Sequence, residues 1–425
     1  MQVGIGIIGA GTVGGALARK LLDEGDAIAA KSGLGLDLVK VAVRNPDKAR
    51  PFHLPADRVT TDPMEVVDDD RVQLVVELMG GLEPAGAVVE RALRAGKAVV
   101  TANKELVAAR GLELTSLAEE QGVALLYEAA VGGGIPIIRP LSQSLAGEPL
   151  SRVLGIVNGT TNFILTKMTE EGAPYDQVLA EAQQLGFAEA DPAADVGGGD
   201  AASKAAILAS LAFGTWIDGP SVPREGIDTI DVADLSHAAG LGYVVKLLAV
   251  AEETEAGVAV RVHPTLVPDD HPLASIRGAH NAIYIEGPQI GELLFSGPGA
   301  GGDPTATAVL GDVIDAAREL LAGAQVTPPV RFQPSRLADL DHTVTRRYYR
   351  LEVVDSPGVL ASIAEEFASH DVSIASVWQE GRGAGATLLI VTHEAPEAAH
   401  AAAEAELRAL PVVREVGAMF RVLGG

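Results

Sequence analysis

A chain of 425 residues has room for two or three domains, each large enough for a core of its own. Hydrophobic residues are 48% and charged residues 21%, an ordinary globular balance, while 32 basic against 57 acidic side chains give a net charge of −25 that disfavours nucleic acid and anionic membrane surfaces. The absence of cysteine excludes disulfides, thiolate metal sites and every mechanism with a cysteine nucleophile. No apolar run reaches the roughly 18–20 residues that a membrane span requires. The opening MQVGIGIIGAGTVGGALARK lacks the basic start of a signal peptide, and its glycines suit a first β-strand and turn. The expected location is the cytoplasm.

Val3–Ile8 has the unbroken apolar character of a buried parallel strand. Gly9-Ala10-Gly11-Thr12-Val13-Gly14 follows, then a helix from about Val13 to Leu22. A lone GxGxxG is weak, but a strand before it and a helix after it make a dinucleotide fingerprint. The glycines let the backbone meet a pyrophosphate at the helix N-terminus, which assigns Gly9, Gly11, Thr12, Val13 and Gly14 to a cofactor. A long connection, Gly25–Asp37, leads to a second strand at Leu38–Val43. NAD sites usually place an acidic residue at the end of this strand for the ribose 2′-hydroxyl. Here Arg44 stands there, with Lys48 and Arg50 behind it, and Asp37 lies before the strand. A cation suits a 2′-phosphate, so NADP(H) is the expected cofactor, with NAD(H) as an accepted second.

Strands at Val72–Leu78 and Ala98–Val100, with a helix at Pro84–Ala95 between them, continue the alternation. The second of these ends at Thr101-Ala102-Asn103-Lys104 before a helix to about Gln121. Ligands of open α/β sheets sit beyond the carboxyl ends of the strands. Lys104 is thus placed for substrate or nicotinamide chemistry, although a lysine that only starts a helix reads the same way. A strand at Val123–Tyr127 leads into Glu128-Ala129-Ala130-Val131-Gly132-Gly133-Gly134-Ile135-Pro136. Glycines beside a carboxylate and a proline form a tight turn with exposed carbonyl oxygens, the ligands of hard cations. From about Pro136 the character changes to α+β. Val153–Val157 reads as a strand ending in Asn158-Gly159-Thr160-Thr161-Asn162, ahead of a helix.

The stretch AQQLGFAEADPAADVGGGDAASK, Ala182–Lys204, is the most informative of the chain. Gly186 reads as a helix C-cap. A polar loop then carries Glu189, Asp191, Pro192 and Asp195, and Gly197-Gly198-Gly199 delivers Asp200 to the start of a new helix with Lys204 four residues on. That helix, Asp200–Phe213, is apolar almost all round, the mark of a buried helix. Asp200 and Lys204 share one face, so an enclosed pair is expected, either as a structural anchor or as catalytic groups. The spacing Ala182-x3-Gly186-Phe187-Ala188-x2-Asp191-Pro192-x2-Asp195-Val196-x-Gly198-x-Asp200-x3-Lys204 resembles the signature of homoserine dehydrogenases, and the resemblance extends over essentially the whole chain.

A helix at Leu235–Ala251 is expected next, then strands around Ala259–Leu266 and Asn281–Ile285. Phe295–Thr305 is a glycine-rich loop, an anion cradle or a plain connector, before a helix to about Ala322. Thr327–Arg346 has the prolines and scattered charge of a linker. Beyond it come a strand Tyr348–Val354, a helix Pro357–His370, strands Val372–Trp378 and Thr387–Val391, a helix Pro396–Leu410 and a strand Val416–Val422. This βαββαβ order, with Asp355-Ser356-Pro357-Gly358, resembles an ACT domain, a module that binds amino acids and regulates its enzyme. His400, in an alanine-rich helix, is expected at the surface.

The expected fold class is α/β: an N-terminal Rossmann-type parallel sheet over 1–135, a central α+β substrate and dimerisation domain over 136–326, a linker over 327–347 and a C-terminal βαββαβ ACT domain over 348–425. The helix 303–322 is expected to pack back on the first domain. The resemblance implies interconversion of L-homoserine and L-aspartate 4-semialdehyde with NADP(H), in a homo-oligomer, dimer or tetramer. It makes Lys204 and Lys104 the candidates for proton donation, with Asp200 orienting Lys204 or holding the substrate amine. Lysine titrates near 10 in water, so acid–base work near neutrality calls for burial or a second cation close by. The resemblance also assigns Glu189, Gly186, Asp195 and Asp200 to the substrate and Gly302 to the cofactor. To a monovalent cation, sodium in type, it assigns the Glu128 carboxylate and the main-chain oxygens of Val131, Gly133 and Ile135. It implies feedback inhibition by L-threonine, bound at Asp355 and Gly358. Two other readings remain: an NADP-dependent dehydrogenase for a different amino-acid-derived aldehyde, and a regulatory protein that senses NADP and an amino acid without turnover.

Overall fold

The structure, a computed structural model, describes residues 2–48, 50, 54–323, 332–333, 337–381 and 385–424, so the linker expected over 327–347 lies in part outside the described residues. The first stretch gives β1 (Gln2–Ile8), α1 (Thr12–Asp23), α2 (Gly25–Ser32), β2 (Gly35–Ala42), β3 (Val59–Thr60) and α3 (Pro63–Val67). Then come β4 (Leu74–Glu77), α4 (Ala85–Arg94), β5 (Ala98–Thr101), α5 (Lys104–Gln121) and β6 (Leu125–Leu126). The middle holds β7 (Arg152–Ile156), α6 (Gly159–Glu171), α7 (Tyr175–Gln184), α8 (Ala193–Val196), α9 (Gly199–Phe213), α10 (Val232–Gly240), β8 (Tyr243–Thr254) and β9 (Gly257–Pro268). After β10 (His280–Gly287), β11 (Gly291–Pro298) and α11 (Gly302–Ala322) come β12 (Val344–Val353) and α12 (Val359–Ser369). The chain closes with β13 (Ile374–Glu380), β14 (Ala386–Thr392), β15 (Ala395–Pro396), α13 (Glu397–Ala409) and β16 (Val413–Val422). It divides into two compact units, Met1–Val153 with Ser203–Val222 and Asn281–Ser335, and Leu154–Ala202 with Pro223–His280 and Arg336–Gly425.

The first unit is built on a parallel sheet of order β3-β2-β1-β4-β5-β6. The strand order reverses between β1 and β4, and in such sheets that is where ligands bind. Val3, Ile5 and Ile7 of β1 point to one face, against Leu17 and Leu21 of α1 and Val309 and Val313 of α11. Val75 and Val99 face the other way, against Val66, Val89, Leu93, Leu106 and Leu114. Each of these buried aliphatic side chains stabilises the unit by about 1.5–3 kcal/mol. Thus α11, far along the chain, completes one face of the N-terminal sheet. Two local expectations change. The connection Gly25–Asp37 contains α2, closed by Gly33 in the left-handed region (φ 78°). Asp37 lies inside β2, where it faces Arg58 at 3.5 Å.

In the second unit the strands run β7-β8-β9-β16-β12-β14-β13. The helix expected over Leu235–Ala251 is wrong in its second half. Gly242, at φ 81°, turns the chain after α10, and Tyr243–Thr254 is a strand paired with β9 from Tyr243↔Pro268 to Thr254↔Gly257. Its run VVKLLAVA is apolar on both faces because a central strand is buried on both, and periodicity cannot tell such a run from a buried helix. The C-terminal βαββαβ order is observed with one addition, the two-residue β15 before α13, and β12 lies antiparallel to β14 and β16. Its last strand lies parallel to β9, pairing Arg421 with Thr265 and Val422 with Leu266, so the module continues a sheet of its own unit.

His400 is not at the surface. It is 0% exposed, with Nδ1 at 3.0 Å from the Tyr349 hydroxyl and Nε2 at 2.9 Å from the Thr345 carbonyl oxygen. Nearby Glu397 is also buried and accepts hydrogen bonds from Arg421 Nε and Nη2 at 2.9 and 2.8 Å, from Arg347 and from the Thr345 hydroxyl. Burial works to raise its pKa, but the guanidinium groups of Arg421 and Arg347 hold it down to about 2.

Candidate active site

In the first unit, Gly9, Ala10 and Gly11 at the end of β1 open onto a cleft of about 550 Å³. A Cβ on Gly14 would stand 1.9 Å from the Gly9 carbonyl oxygen, so only glycine lets α1 start this close to the strand. Around Gly11 a Cβ would meet nothing within 4 Å, which leaves that side of the turn open. The first N–H groups of α1 have no partner within the helix and suit an anion there. Arg44, Asn45, Lys48 and Arg50 line the same cleft. Arg50 folds back to donate to the carbonyl oxygens of Asn45 and Lys48 at 2.9 and 3.0 Å, which leaves Arg44 as the strand-end cation best suited to a ligand. Gly302, at the start of α11, lies against the same turn: a Cβ there would be 3.2 Å from the Thr12 carbonyl oxygen. These residues fit a dinucleotide cofactor.

The carboxyl ends of β4 and β5 are tied together by Glu77, a fully buried carboxylate unnoticed in the sequence. It accepts from the N–H groups of Met79 and Gly80 at 2.7 and 3.2 Å and from the Thr101 hydroxyl at 2.6 Å. Thr101 accepts in turn from the Asn103 N–H at 3.0 Å, and Asn103 caps α5 by accepting from Leu106 N–H at 3.1 Å while donating to the Gly81 carbonyl oxygen at 2.7 Å. This network fixes the turn from which Lys104 begins α5, at the carboxyl edge of the parallel sheet.

The Glu128 carboxylate has a structural task. It accepts from the N–H groups of Ile137, Ile138 and Arg139 at 2.6, 2.7 and 3.0 Å, with the Arg139 guanidinium 3.9 Å away. Three N–H donors and a neighbouring cation account for its charge, so the side chain does not fit a cation ligand. In the turn that follows, Gly132 and Gly133 take φ 71° and 56°, and the main-chain oxygens of Val131, Gly133 and Ile135 are the remaining candidate ligands. Among the described residues no group of three His, Cys, Asp or Glu side chains is arranged to hold a metal ion, nor is any helix long and apolar enough to cross a membrane.

In the second unit, α7 ends at Gln184 with Leu185 as its C-cap, and Gly186, expected to be the cap, follows it at left-handed φ 78°. The loop beyond it returns through α8 to Gly198, at φ 79°, and α9 begins at Gly199. Asp195 and Asp200 are brought together by Asn158, whose Nδ2 donates to Asp195 Oδ1 at 2.8 Å and to Asp200 Oδ2 at 2.9 Å. The Thr160 hydroxyl donates to the Phe187 carbonyl oxygen at 2.6 Å and lies 3.4 Å from Asp195. Asn158 is itself held as the N-cap of α6, accepting from Thr161 N–H at 2.9 Å. The NGTTN turn was visible as a motif; its roles in aligning Asp195 and Asp200 were not. Asp200 and Lys204 sit four residues apart on α9, each 9% exposed. Glu189 is exposed on the loop, apart from this hydrogen-bonded group.

A further buried lysine, Lys246 of β8, went unnoticed. Its ammonium donates to Asn162 Oδ1 at 3.0 Å and to the Ile276 carbonyl oxygen, and burial pushes its pKa down to about 8. Asn162 also donates to the carbonyl oxygens of Gly278 and His280, so the pair clamps the loop before β10. In the C-terminal module Asp355 is exposed and lies 3.5 Å from Gln379 Nε2, and Gly358 caps α12 at φ 95°.

Comparison with known proteins agrees with this arrangement. The family profile described as homoserine dehydrogenase matches residues 136–314, and that for the homoserine dehydrogenase NAD binding domain matches residues 9–128. The homoserine dehydrogenase of Corynebacterium glutamicum is 45% identical over 425 residues, covering 99% of this chain and 95% of that protein. That of Mycobacterium tuberculosis H37Rv is 45% identical over 433 residues, covering 99% and 98%. Among solved structures, a homoserine dehydrogenase from Thiobacillus denitrificans superposes with a TM-score of 0.93 at 41% identity, covering 99% of this chain and 98% of that one. A hyperthermophilic archaeal homoserine dehydrogenase in complex with NADPH gives 0.62 at 31% identity, covering 78% and 100%.

Proposed function

The chain belongs to the homoserine dehydrogenase family, and from that premise we propose that it interconverts L-homoserine and L-aspartate 4-semialdehyde with NADP(H) in the cytoplasm. The observation that carries the substrate assignment is the pair of carboxylates, Asp195 and Asp200, aligned by one Asn158 amide. Two anions fixed side by side match the ammonium group of an amino acid. Glu189 and Gly186, on the loop that leads to Asp195, are assigned to the same substrate. Lys204 and Lys104 stabilise the negative charge that builds on the aldehyde oxygen during reduction, and one of them donates the proton. The nicotinamide, when bound, supplies or accepts the hydride. Arg44 at the end of β2 selects the phosphorylated cofactor, supported by Lys48 in the same cleft. The archaeal relative described with NADPH is consistent with that choice. A monovalent cation, sodium in type, is held by the main-chain oxygens of Val131, Gly133 and Ile135.

The C-terminal βαββαβ module acts as an ACT domain that binds L-threonine. The N–H groups at the start of α12 receive its carboxylate and Asp355 its ammonium. Removing the whole module is a poor test, because Leu423 N–H donates to the Leu266 carbonyl oxygen at 2.8 Å and deletion would strip a neighbour from β9. Asp355→Ala should instead weaken threonine inhibition about 5- to 150-fold and leave uninhibited turnover unchanged. Indifference of the full-length protein to millimolar threonine would make the module structural. The primary assay is absorbance at 340 nm with aspartate semialdehyde and NADPH or NADH. No oxidation of either cofactor would favour the sensor reading over the enzyme.

A further inference from the structure

We propose that Arg421, in the last strand of the chain, is a positioning residue for the Asp195–Asp200 carboxylate pair, acting through Glu225. Arg421 is clamped by two hydrogen bonds to buried Glu397, and its remaining nitrogen, Nη1, donates to Glu225 Oε1 at 2.7 Å. An ion pair to a half-exposed glutamate ordinarily contributes little, because two long side chains must be ordered to form it. Here the Arg421 side chain is only 11% exposed and already fixed by Glu397, so that ordering cost has been met elsewhere. Glu225 is fixed to β9 by its own backbone, with its N–H donating to the Val262 carbonyl oxygen at 2.8 Å. The next residues press directly on the turn between the two carboxylates. Ile227 N–H donates to the Val196 carbonyl oxygen at 2.9 Å. A Cβ on Gly226 would stand 2.6 Å from that oxygen and 3.0 Å from Gly197 Cα, and one on Gly198 would lie 3.3 Å from the Glu225 carbonyl oxygen. At these two glycines backbone meets backbone directly, so a shift of one segment is passed to the other. Displacement of Glu225 therefore passes to Val196–Gly198, and so to the spacing of Asp195 and Asp200. The whole path lies within the second unit.

The kinetic side of this proposal rests on reading the carboxylate pair as the substrate's ammonium site. The test uses full-length Glu225→Ala, Arg421→Lys and the double variant. The readouts are steady-state kinetics with homoserine and NADP⁺, and hydrogen exchange of the 190–202 segment. Each single variant should raise KM for homoserine about 3- to 10-fold, with KM for the cofactor and kcat nearly unchanged. The double variant should be no worse than the weaker single, the mark of coupled residues. Amides of Gly197–Gly199 should exchange faster in all three. A folded Glu225→Ala protein with wild-type KM and wild-type exchange overturns the proposal, and so does an equal loss for both substrates or an additive double variant. If the wild-type protein does not turn over homoserine, the functional reading fails and the exchange measurement alone decides the positioning role.

Discussion

At the start of α1, Gly9 and Gly11 leave the first-turn N–H groups bare, with Arg44 and Lys48 lining the cleft beyond. At the start of α9, Gly197, Gly198 and Gly199 lead into Asp200, and Asp195 stands a few residues earlier with Asn158 bridging the two. Both approaches need glycine at particular positions: Gly9 and Gly198 take left-handed φ, and a Cβ on Gly14 or Gly197 would stand 1.9 or 2.7 Å from a carbonyl oxygen. The ligand each can take is nonetheless opposite. A bare helix N-terminus with cations beyond it suits a phosphate, whereas one occupied by its own carboxylate suits an ammonium. The glycines grant access, and the nearest fixed charges choose what enters.

The comparison can be tested from both ends. Its strongest test is Lys204→Ala, because the start of α9 is held to perform chemistry as well as binding. Turnover should fall about 10²-fold or more, the usual scale for losing a general acid, with the circular dichroism spectrum unchanged. Near-normal kcat in the folded variant would reduce α9 to a binding element. At α1, Arg44→Ala should weaken NADPH binding about 10- to 150-fold, a loss of roughly 1.5–3 kcal/mol, while NADH titrations stay the same. Equal loss for both cofactors would make Arg44 structural and remove the electrostatic half of the contrast.

Asn158→Ala leaves two carboxylates without their shared donor. KM for homoserine should rise about 5- to 30-fold, the scale of roughly one to two kcal/mol for a lost hydrogen bond to a charged group, with cofactor affinity constant as read by fluorescence. Unchanged KM would mean that Asp195 and Asp200 align without it.

Charge serves a third purpose at Glu397, and the smallest catalytic effect is expected there. Its pKa in the fold is about 2, against about 4.3 for a free glutamate. The stability this gives is present above about 4.3 and is lost as the pH falls toward 2. Glu397→Gln should flatten the acid limb of a urea-midpoint curve while kcat at neutral pH holds. An acid limb that stays as steep would assign acid sensitivity to other carboxylates.

Much of this was legible in the order of residue types. The apolar strands of the parallel sheet, the GAGTVG turn, the left-handed glycine that ends α7 and the helix carrying Asp200 and Lys204 all follow from local rules. Burial on both faces, left-handed φ and helical spacing each leave a mark within a few residues. Arg44 could likewise be picked out as a cation standing where an acid is usual. By contrast, Tyr243–Thr254 was misread because a strand buried on both sides loses its alternation. His400 was misplaced because a polar residue in an alanine-rich helix looks solvated until Tyr349 and the Thr345 carbonyl are seen to satisfy it.

What the sequence determined by itself was therefore the set of elements, the glycine turns and the candidate charges, since each depends on contacts between near neighbours in the chain. Only the tertiary structure decided which charges are paired. It turned the Glu128 carboxylate toward the amides of Ile137, Ile138 and Arg139, joined Asp195 and Asp200 through Asn158, and set β16 beside β9. The physical reason is that a buried charge must find a partner wherever the fold brings one, often more than a hundred residues away, as when Asp312 accepts the Glu128 N–H at 2.7 Å. Such partners leave no periodic trace in the chain.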